Sequence, residues 1–292
     1  MSGLDPNTGG ALVVPGGGGA SLSDATPAAL GTAAAGVSTS ASRADHVHEA
    51  PAAATVDALL PRALPGTALH LHRLNEATGA LADQGSVGTA AVISGSSAVR
   101  ATPGPYRWGG GIELVSPAAT DRITVATSIP AGDCSLALTI HATTDAAPAV
   151  SGSSVTLMAL WDGADNAVML LCHPAGGLYA YLYGAATGSY STDYTPSSWA
   201  VGHRCVVTYE HGAAGATKRV KFYVDGTLRG TFTATAAIAA TLTEATMLGL
   251  AGDPFTQGAV GDVTIGDAQV WGSLLTAAQV TADWRQVRGA LL

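Results

Sequence analysis

Arg43, Asp45, His46 and His48 crowd together in GTAAAGVSTSASRADHVHEAP (residues 31–51), a stretch that otherwise has almost nothing reactive in it. In extended backbone a His-x-His pair turns both imidazoles to one face. One chain then offers too few nitrogens to hold a metal firmly. Three chains around an axis would complete an octahedral set suited to a first-row transition metal at His46 and His48, with Asp45 orienting a ring from behind. The same side chains serve equally as an assembly contact, in which Arg43, Asp45, His46 and His48 hydrogen-bond one another and the backbone of a neighbouring protein. Both roles call on other chains.

The linear order assembles no catalytic centre. The glutamates are Glu49, Glu76, Glu113, Glu210 and Glu244, and none has an acidic residue two positions away. That spacing on a strand would aim a nucleophile and an acid at one glycosidic bond. Nucleophile-elbow, His-Glu-x-x-His and phosphate-loop patterns are missing as well. The glycine run in PGGGGAS leads into no helix start, so it lacks the ring of backbone N–H groups that cradles phosphate. No catalytic residue is assigned, and binding or architecture is the expectation.

Composition narrows the partners. Hydrophobic residues make up 47% of the 292, but alanine inflates that figure; aromatics are 5% and charged residues 12%, so Ser, Thr, Gly and Ala must form the surface. A formal charge of −8 and a pI near 5.3 exclude the basic patches that nucleic acid or an anionic membrane would need. No apolar run reaches the ~20 residues of a membrane span. The N-terminus MSGLDPNTGG has no signal-peptide pattern, which predicts synthesis without general secretory export. Cys134, Cys172 and Cys205 sit in apolar runs without metal-type spacing. They fit buried free thiols, or a disulfide between two of them.

Two textures divide the chain. Residues 1–66 combine glycine, alanine, serine and proline with few large apolar groups, too little to offset the entropy of ordering the backbone. They are expected to form an extended anchor or stalk. Residues 67–292 change to short alternating runs bounded by turn residues, the pattern of antiparallel strands. SLALTIHA places Leu136, Leu138 and Ile140 on one face, and RVKFYVDG does the same with Val220, Phe222 and Val224; each predicts a half-buried strand. Further strands are expected at 123–126, 155–161, 167–172, 178–183, 205–209, 228–234, 246–250 and 263–271. About a dozen strands with almost no helical periodicity predict an all-β, antiparallel jelly-roll sandwich. One short C-terminal helix is expected, opened by the capping box Thr276 to Gln279 and carrying an apolar stripe of Val280, Trp284 and Val287.

The domain from about Leu69 to Gly289 resembles concanavalin A-like, laminin G-type jelly rolls. LHRLNEATGALADQGS, FYVDGTLRG and GDVTIGDAQVWGSLLTAAQV resemble that family's opening Glu-x-x-Gly turn, its Val-Asp-Gly hairpin, and its last strand ending in Trp before Leu-Thr-x-x-x-Val. The segment Ser42-Arg43-Ala44-Asp45-His46-Val47-His48 resembles one found in bacteriophage tail-fibre and virion-appendage proteins. Together these resemblances imply a fibre or head spike of a phage or a phage-derived particle such as a gene transfer agent, made in the bacterial cytoplasm. Its expected partners are other virion proteins, copies of itself, with a trimer favoured, and a host-surface glycan. An architectural decoration protein without ligand is the alternative, and a polysaccharide-degrading spike a third.

In a lectin-like head the residues suited to sugar are loop acceptors and exposed rings. WDGADNA supplies Trp161, Asp162, Asp165 and Asn166, and YLYGAATGSYSTDY supplies Tyr181, Tyr183, Tyr190, Asp193 and Tyr194. The same residues also fit hairpin turns and cross-strand packing. Ca2+ at Asp162 and Asp165 would need backbone carbonyls to complete its shell.

Overall fold

In the computed structural model, the alternating runs become strands whose pairings are all antiparallel. The structure describes residues 68–74, 76, 79–94, 98–100, 110–114, 122–142, 149–150, 154–173, 176–184, 187–191, 193–212, 218–234, 238–247, 260–261, 263–288 and 291. The lead of residues 1–66, with Arg43, Asp45, His46 and His48, lies outside them.

In chain order the early strands are β1 (His70–His72), β2 (Val92–Ser94), β3 (Ala98–Arg100), β4 (Ile112–Leu114), β5 (Arg122–Ile129) and β6 (Cys134–Ala142). The middle strands are β7 (Ala149–Val150), β8 (Val155–Trp161), β9 (Ala167–Cys172), β10 (Leu178–Gly184), β11 (Thr187–Tyr190) and β12 (His203–Glu210). The last are β13 (Lys218–Val224), β14 (Thr227–Ala234), β15 (Leu242–Met247), β16 (Val260–Gly261) and β17 (Val263–Trp271), followed by helix α1 (Ala277–Val287). An eight-stranded sheet runs β14-β13-β12-β6-β17-β4-β3, with β1 also paired to β17. A seven-stranded sheet runs β11-β10-β9-β8-β15-β5-β2, and β16 pairs with β7. Among the described residues no helix is long and apolar enough to cross a membrane.

The main core lies between the two sheets. Leu136, Leu138 and Ile140 of β6 and Val220, Phe222 and Val224 of β13 share it with Val168, Leu170, Leu178 and Leu182 of the other sheet. The expected inward faces are therefore correct, but β6 is not half-buried: all nine of its residues are buried. Its outer face is covered too. Ala137 joins a second apolar cluster with Leu71, Val206, Tyr223, Trp271, Leu275 and Val280, and His141 Nε2 hydrogen-bonds the carbonyl of Ala200 at 3.0 Å. The strand expected at 246–250 begins at Leu242 instead, because Leu242, Ala245 and Met247 are the residues that reach the core; residues 248–250 lie outside the described ones.

Helix α1 starts where its capping box predicts: the Thr276 hydroxyl accepts from Gln279 N–H while the Gln279 side chain accepts from Thr276 N–H. Val280 and Val287 are buried as expected, but so is Asp283, from the same face. Its partner is Arg204 of β12, fully buried, whose Nε donates to Asp283 Oδ2 at 2.8 Å. The same guanidinium donates through Nη1 to Asp267 Oδ1 at 2.9 Å and to Thr139 Oγ1 at 3.0 Å. Cys134, Cys172 and Cys205 are buried and unpaired. Burial pushes the thiols of Cys134 and Cys172 up to about 12.

Asp225 and Gly226 join β13 to β14 with φ of 54° and 72°, the mirror-image turn that matches strand twist. Gly226 is required twice over, since a Cβ there would meet Trp284 Cβ at 2.9 Å. The Asp225 carboxylate reaches back to β12, accepting His203 Nδ1–H at 2.8 Å and Arg204 N–H at 3.0 Å. His203 Nε2 faces the carbonyl of Ser198 at 2.7 Å. Two acceptors on one ring favour the imidazolium. Burial alone would lower the His203 pKa, but the bond to Asp225, the Ser198 carbonyl and the Asp225 charge outweigh it and raise it.

Replacing Arg204 with Ala strands two buried carboxylates and should cost about 3–5 kcal/mol in denaturant unfolding. A raised folded-state pKa means that the His203–Asp225 contribution is complete below the unfolded value of about 6.5 and is lost as pH rises through the folded one. The stability advantage of the natural chain over Asp225→Asn should accordingly be larger near pH 5.5 than near pH 8.5, read from unfolding curves of both at each pH.

Candidate functional site

The WDGADNA hairpin between β8 and β9 is built around one carboxylate. Asp162 Oδ1 accepts the N–H groups of Ala164 at 2.9 Å and Asn166 at 3.0 Å, and Oδ2 accepts Asn166 Nδ2 at 2.6 Å. Asn166 is buried, and its own carbonyl oxygen takes Ala239 N–H at 2.9 Å. Burial would raise the Asp162 pKa, but these donors outweigh it and hold the carboxyl below its usual range. Asp162 and Asn166 thus serve the turn. Asp165 is exposed at its tip, and Trp161 Nε1 donates to the Ala164 carbonyl at 3.3 Å, which fixes the indole against the same turn.

Across the seven-stranded sheet, register places Trp161 beside Ala167 and Ala167 beside Tyr183; one row on, Ala159, Met169, Tyr181 and Tyr190 are neighbours. These residues alternate with the ones that point into the main core, so they occupy the sheet's outer face. There Ala159, Ala167, Met169, Leu171 and Tyr183 form a separate cluster, flanked by half-buried Trp161, Tyr179 and Tyr181. The structure therefore brings Trp161, Tyr181 and Tyr183 onto one surface. It does not bring Tyr194 there: that ring packs on the main core, with Arg229 Cζ 4.1 Å from its centroid. Asp193 is exposed beside Gly177, and Tyr190 is placed only by its backbone. Among the described strand positions of this face Glu244, opposite Trp161, is the single carboxylate, and it accepts the Thr246 hydroxyl at 2.7 Å.

A second constellation lies at the opening of the domain. LHLHRL contains another His-x-His, and β1 turns His70 and His72 to the same side. Asp83 forms an antiparallel bridge with His72 and carries the third donor. His70 Nδ1–H donates to Asp83 Oδ2 at 2.8 Å, while its Nε2 shares a hydrogen bond with Thr127 Oγ1 of β5 at 3.0 Å. Asp83 Oδ1 also accepts Leu71 N–H and Gly85 N–H, and Oδ2 accepts Thr89 N–H. Gly85 makes this approach feasible: a Cβ there would lie 2.3 Å from the Leu69 carbonyl oxygen. Burial opposes the Asp83 charge, but the N–H donors and His70 outweigh it and lower its pKa.

His72 is the anomaly. It is 1% exposed, its ring stacks on His70 with centroids 6.2 Å apart, and among the described residues neither ring nitrogen has a well-aligned hydrogen-bond partner, the backbone of Leu81 and Ala82 giving only weaker contacts. Burial pushes its pKa down and His70 adds to this, against the Asp83 charge and the backbone of Ala82 and Leu81. Donor atoms of His70, His72 and Asp83 all lie within 4.8 Å of one another, the one such group of three among the described residues. The His-x-His spacing that singles out residues 46 and 48 was equally visible at 70 and 72; Asp83 was not, because only the chain reversal brings it there.

With this architecture in view, the profile of the concanavalin A-like lectin/glucanases superfamily matches residues 120–281, more than half of the chain. The chain belongs to that superfamily. No curated protein matches its sequence. Among solved structures it is similar in fold to the receptor-binding domain of botulinum neurotoxin type G, at 12% identity and TM-score 0.55, over 75% of this chain and 51% of that one. It is similar also to a structure of botulinum neurotoxin type C, which depends upon interaction with two ganglioside molecules to enter cells (10% identity, TM-score 0.56, 76% and 51% covered). A third is the binding domain of neurotoxin DC in complex with SialylT, at 10% identity and TM-score 0.54 over 76% and 52%. The chain spans about half the length of these structures.

If Asp162 acts through its turn, Asp162→Ala should lower stability by about 1–3 kcal/mol, whereas Asp165→Ala should stay within about 0.5 kcal/mol. Thermal unfolding of the two variants side by side separates these roles.

Proposed function

We propose that the jelly roll is the carbohydrate-binding head of a surface appendage on a phage or phage-derived particle, with residues 1–66 as its anchor or stalk. The observation that carries the reading is the outer face of the seven-stranded sheet, where half-buried Trp161 and Tyr181 rise beside the buried Tyr183, Ala159 and Ala167. Partly exposed aromatic rings suit the apolar faces of sugar rings, and exposed Asp165 offers acceptor oxygens at the near hairpin. Superfamily membership and the glycan-dependent neurotoxins of similar fold support a sugar as the ligand class. The appendage itself rests on the Ser42–His48 resemblance. Buried free thiols suit synthesis in the bacterial cytoplasm.

We read binding rather than cleavage: Glu244 is the one carboxylate among the described strand positions of that face, and glycoside hydrolysis uses a pair. Three heads on one stalk would raise a weak sugar affinity by avidity. A metal at His46 and His48 of such a trimer, and Ca2+ beside Asp165, belong to the same proposal.

Isothermal titration of the purified chain with host-surface polysaccharide should show binding that Trp161→Ala and Tyr181→Ala each weaken roughly tenfold, about 1.4 kcal/mol, without lowering the unfolding midpoint to match. Unchanged binding in both variants would refute the face. Lost incorporation into particles with no sugar binding would favour the decoration protein, and release of reducing sugar would favour the degrading spike.

A further inference from the structure

The cluster at the opening of the domain asks for an occupant on grounds separate from the sugar face. The buried His72 imidazole gives up water's hydrogen bonds and, among the described residues, finds only poorly aligned backbone at Leu81 and Ala82 in return. The rest of the cluster is ordered around it: His70 is held by Asp83 and Thr127, and Asp83 by three backbone N–H groups. Two imidazoles on alternate positions of one strand and a carboxylate from the bridged segment form a mixed nitrogen and oxygen donor set.

We propose that His70, His72 and Asp83 bind a divalent first-row transition metal, Zn2+ being the best match to the donor set. His72 supplies a nitrogen that has no well-aligned partner among the described residues. His70 supplies Nδ1, the metal replacing the proton it now shares with Asp83, and Thr127 keeps His70 Nε2 oriented from behind, as outer partners of metal-bound histidines do. Water completes the shell. All three side chains are buried, so the metal is structural rather than catalytic. Its position matters: β1 belongs to the eight-stranded sheet and Thr127 to the seven-stranded one, so the metal and its shell clamp the two sheets where the domain begins.

The test uses the full chain, stripped with a chelator and titrated with Zn2+, and with Co2+ as a visible probe. The expected result is one equivalent bound per chain, Co2+ absorption intensified over that of the aqueous ion, and a melting midpoint raised by about 5 °C or more at saturating Zn2+. His72→Phe, which fills the buried space without a donor, and Asp83→Asn, which keeps the carbonyl acceptor, should each lose the bound equivalent and the shift. His46→Ala with His48→Ala should keep both. Absence of bound metal and of a shift in the natural chain overturns the proposal. So does metal that survives His72→Phe but disappears with the residue 46 and 48 pair. Sugar titration of the same samples keeps this result distinct from the fate of the glycan face.

Discussion

The position of the C-terminal helix, and with it the burial of Ala137, Val206 and Trp271 on the outer face of one sheet, depends on a guanidinium that never meets solvent. Arg204 is 0% exposed, between Asp283 of α1 on one side and Asp267 of β17 and Thr139 of β6 on the other. One cation faces two carboxylates, so the balance is closed by neutral donors: the Thr139 hydroxyl on Asp267 Oδ1 and Gln269 Nε2 on Asp267 Oδ2. Such a network adds little net stability compared with an apolar filling, but it tolerates only one placement of its members. An apolar stripe of Val280 and Val287 could slide along the sheet. An arginine fork gripping Asp283 cannot, and that fixed helix is what lets Ala137, Val206 and Trp271 be apolar on an outward face.

A second device is used twice. In the turn after β13 and in the reversal after β1, an aspartate extends one oxygen to a histidine Nδ1 and the other to the backbone N–H of the next residue: Asp225 to His203 and Arg204, Asp83 to His70 and Leu71. Each aspartate sits close to a glycine that permits close contact, Gly226 under Trp284 and Gly85 against the β1 backbone. The outcomes differ because of what lies across the ring. His203 meets a second acceptor, the Ser198 carbonyl, and its charge is supported from both ends. His70 meets a hydroxyl, which can donate or accept, and has a second imidazole stacked on it. The first is a clamp that is complete within the chain. The second leaves a buried base beside it without a well-aligned partner among the described residues.

Strand identity was largely legible because it is local. Alternation fixed β8, β9 and β17 at the bounds read from the sequence, and Asp225-Gly226 and the Thr276 capping box announced their turn and helix start. What could not be read is burial on the second face of a strand. Ser135, Thr139 and His141 look like the solvent side of β6, yet they are covered by α1 and the segment before β12, elements distant in sequence. Asp283 looks like the polar side of a helix for the same reason. At the candidate site, the sequence offered Trp161, Tyr181 and Tyr183 only as rings of two hairpins; strand register is what brings them to one side of neighbouring strands. The sequence could not separate Asp162 and Asn166, which the turn consumes, from Asp165, which it leaves exposed, because all three suit an Asp-Asn hairpin.

Both sheets bury apolar residues on their outer faces, but they do so with different side chains. The eight-stranded sheet is sealed by a helix locked through Arg204, so its strands are spent on stability. On the seven-stranded sheet the buried outer positions of β8 and β9 lie under no described helix, and Trp161, Tyr181 and Tyr183 stand there beside Thr156, Thr246 and Glu244. A face meant only for water would have no reason to place Trp161, Tyr181 and Tyr183 together. Half-buried rings around Ala159 and Ala167 lower the cost of receiving something with apolar patches of its own. That requirement excludes a simple ion and fits the face of a sugar ring or a closely packed neighbour, whereas the nitrogens of His72, sealed from solvent, fit an ion and nothing larger.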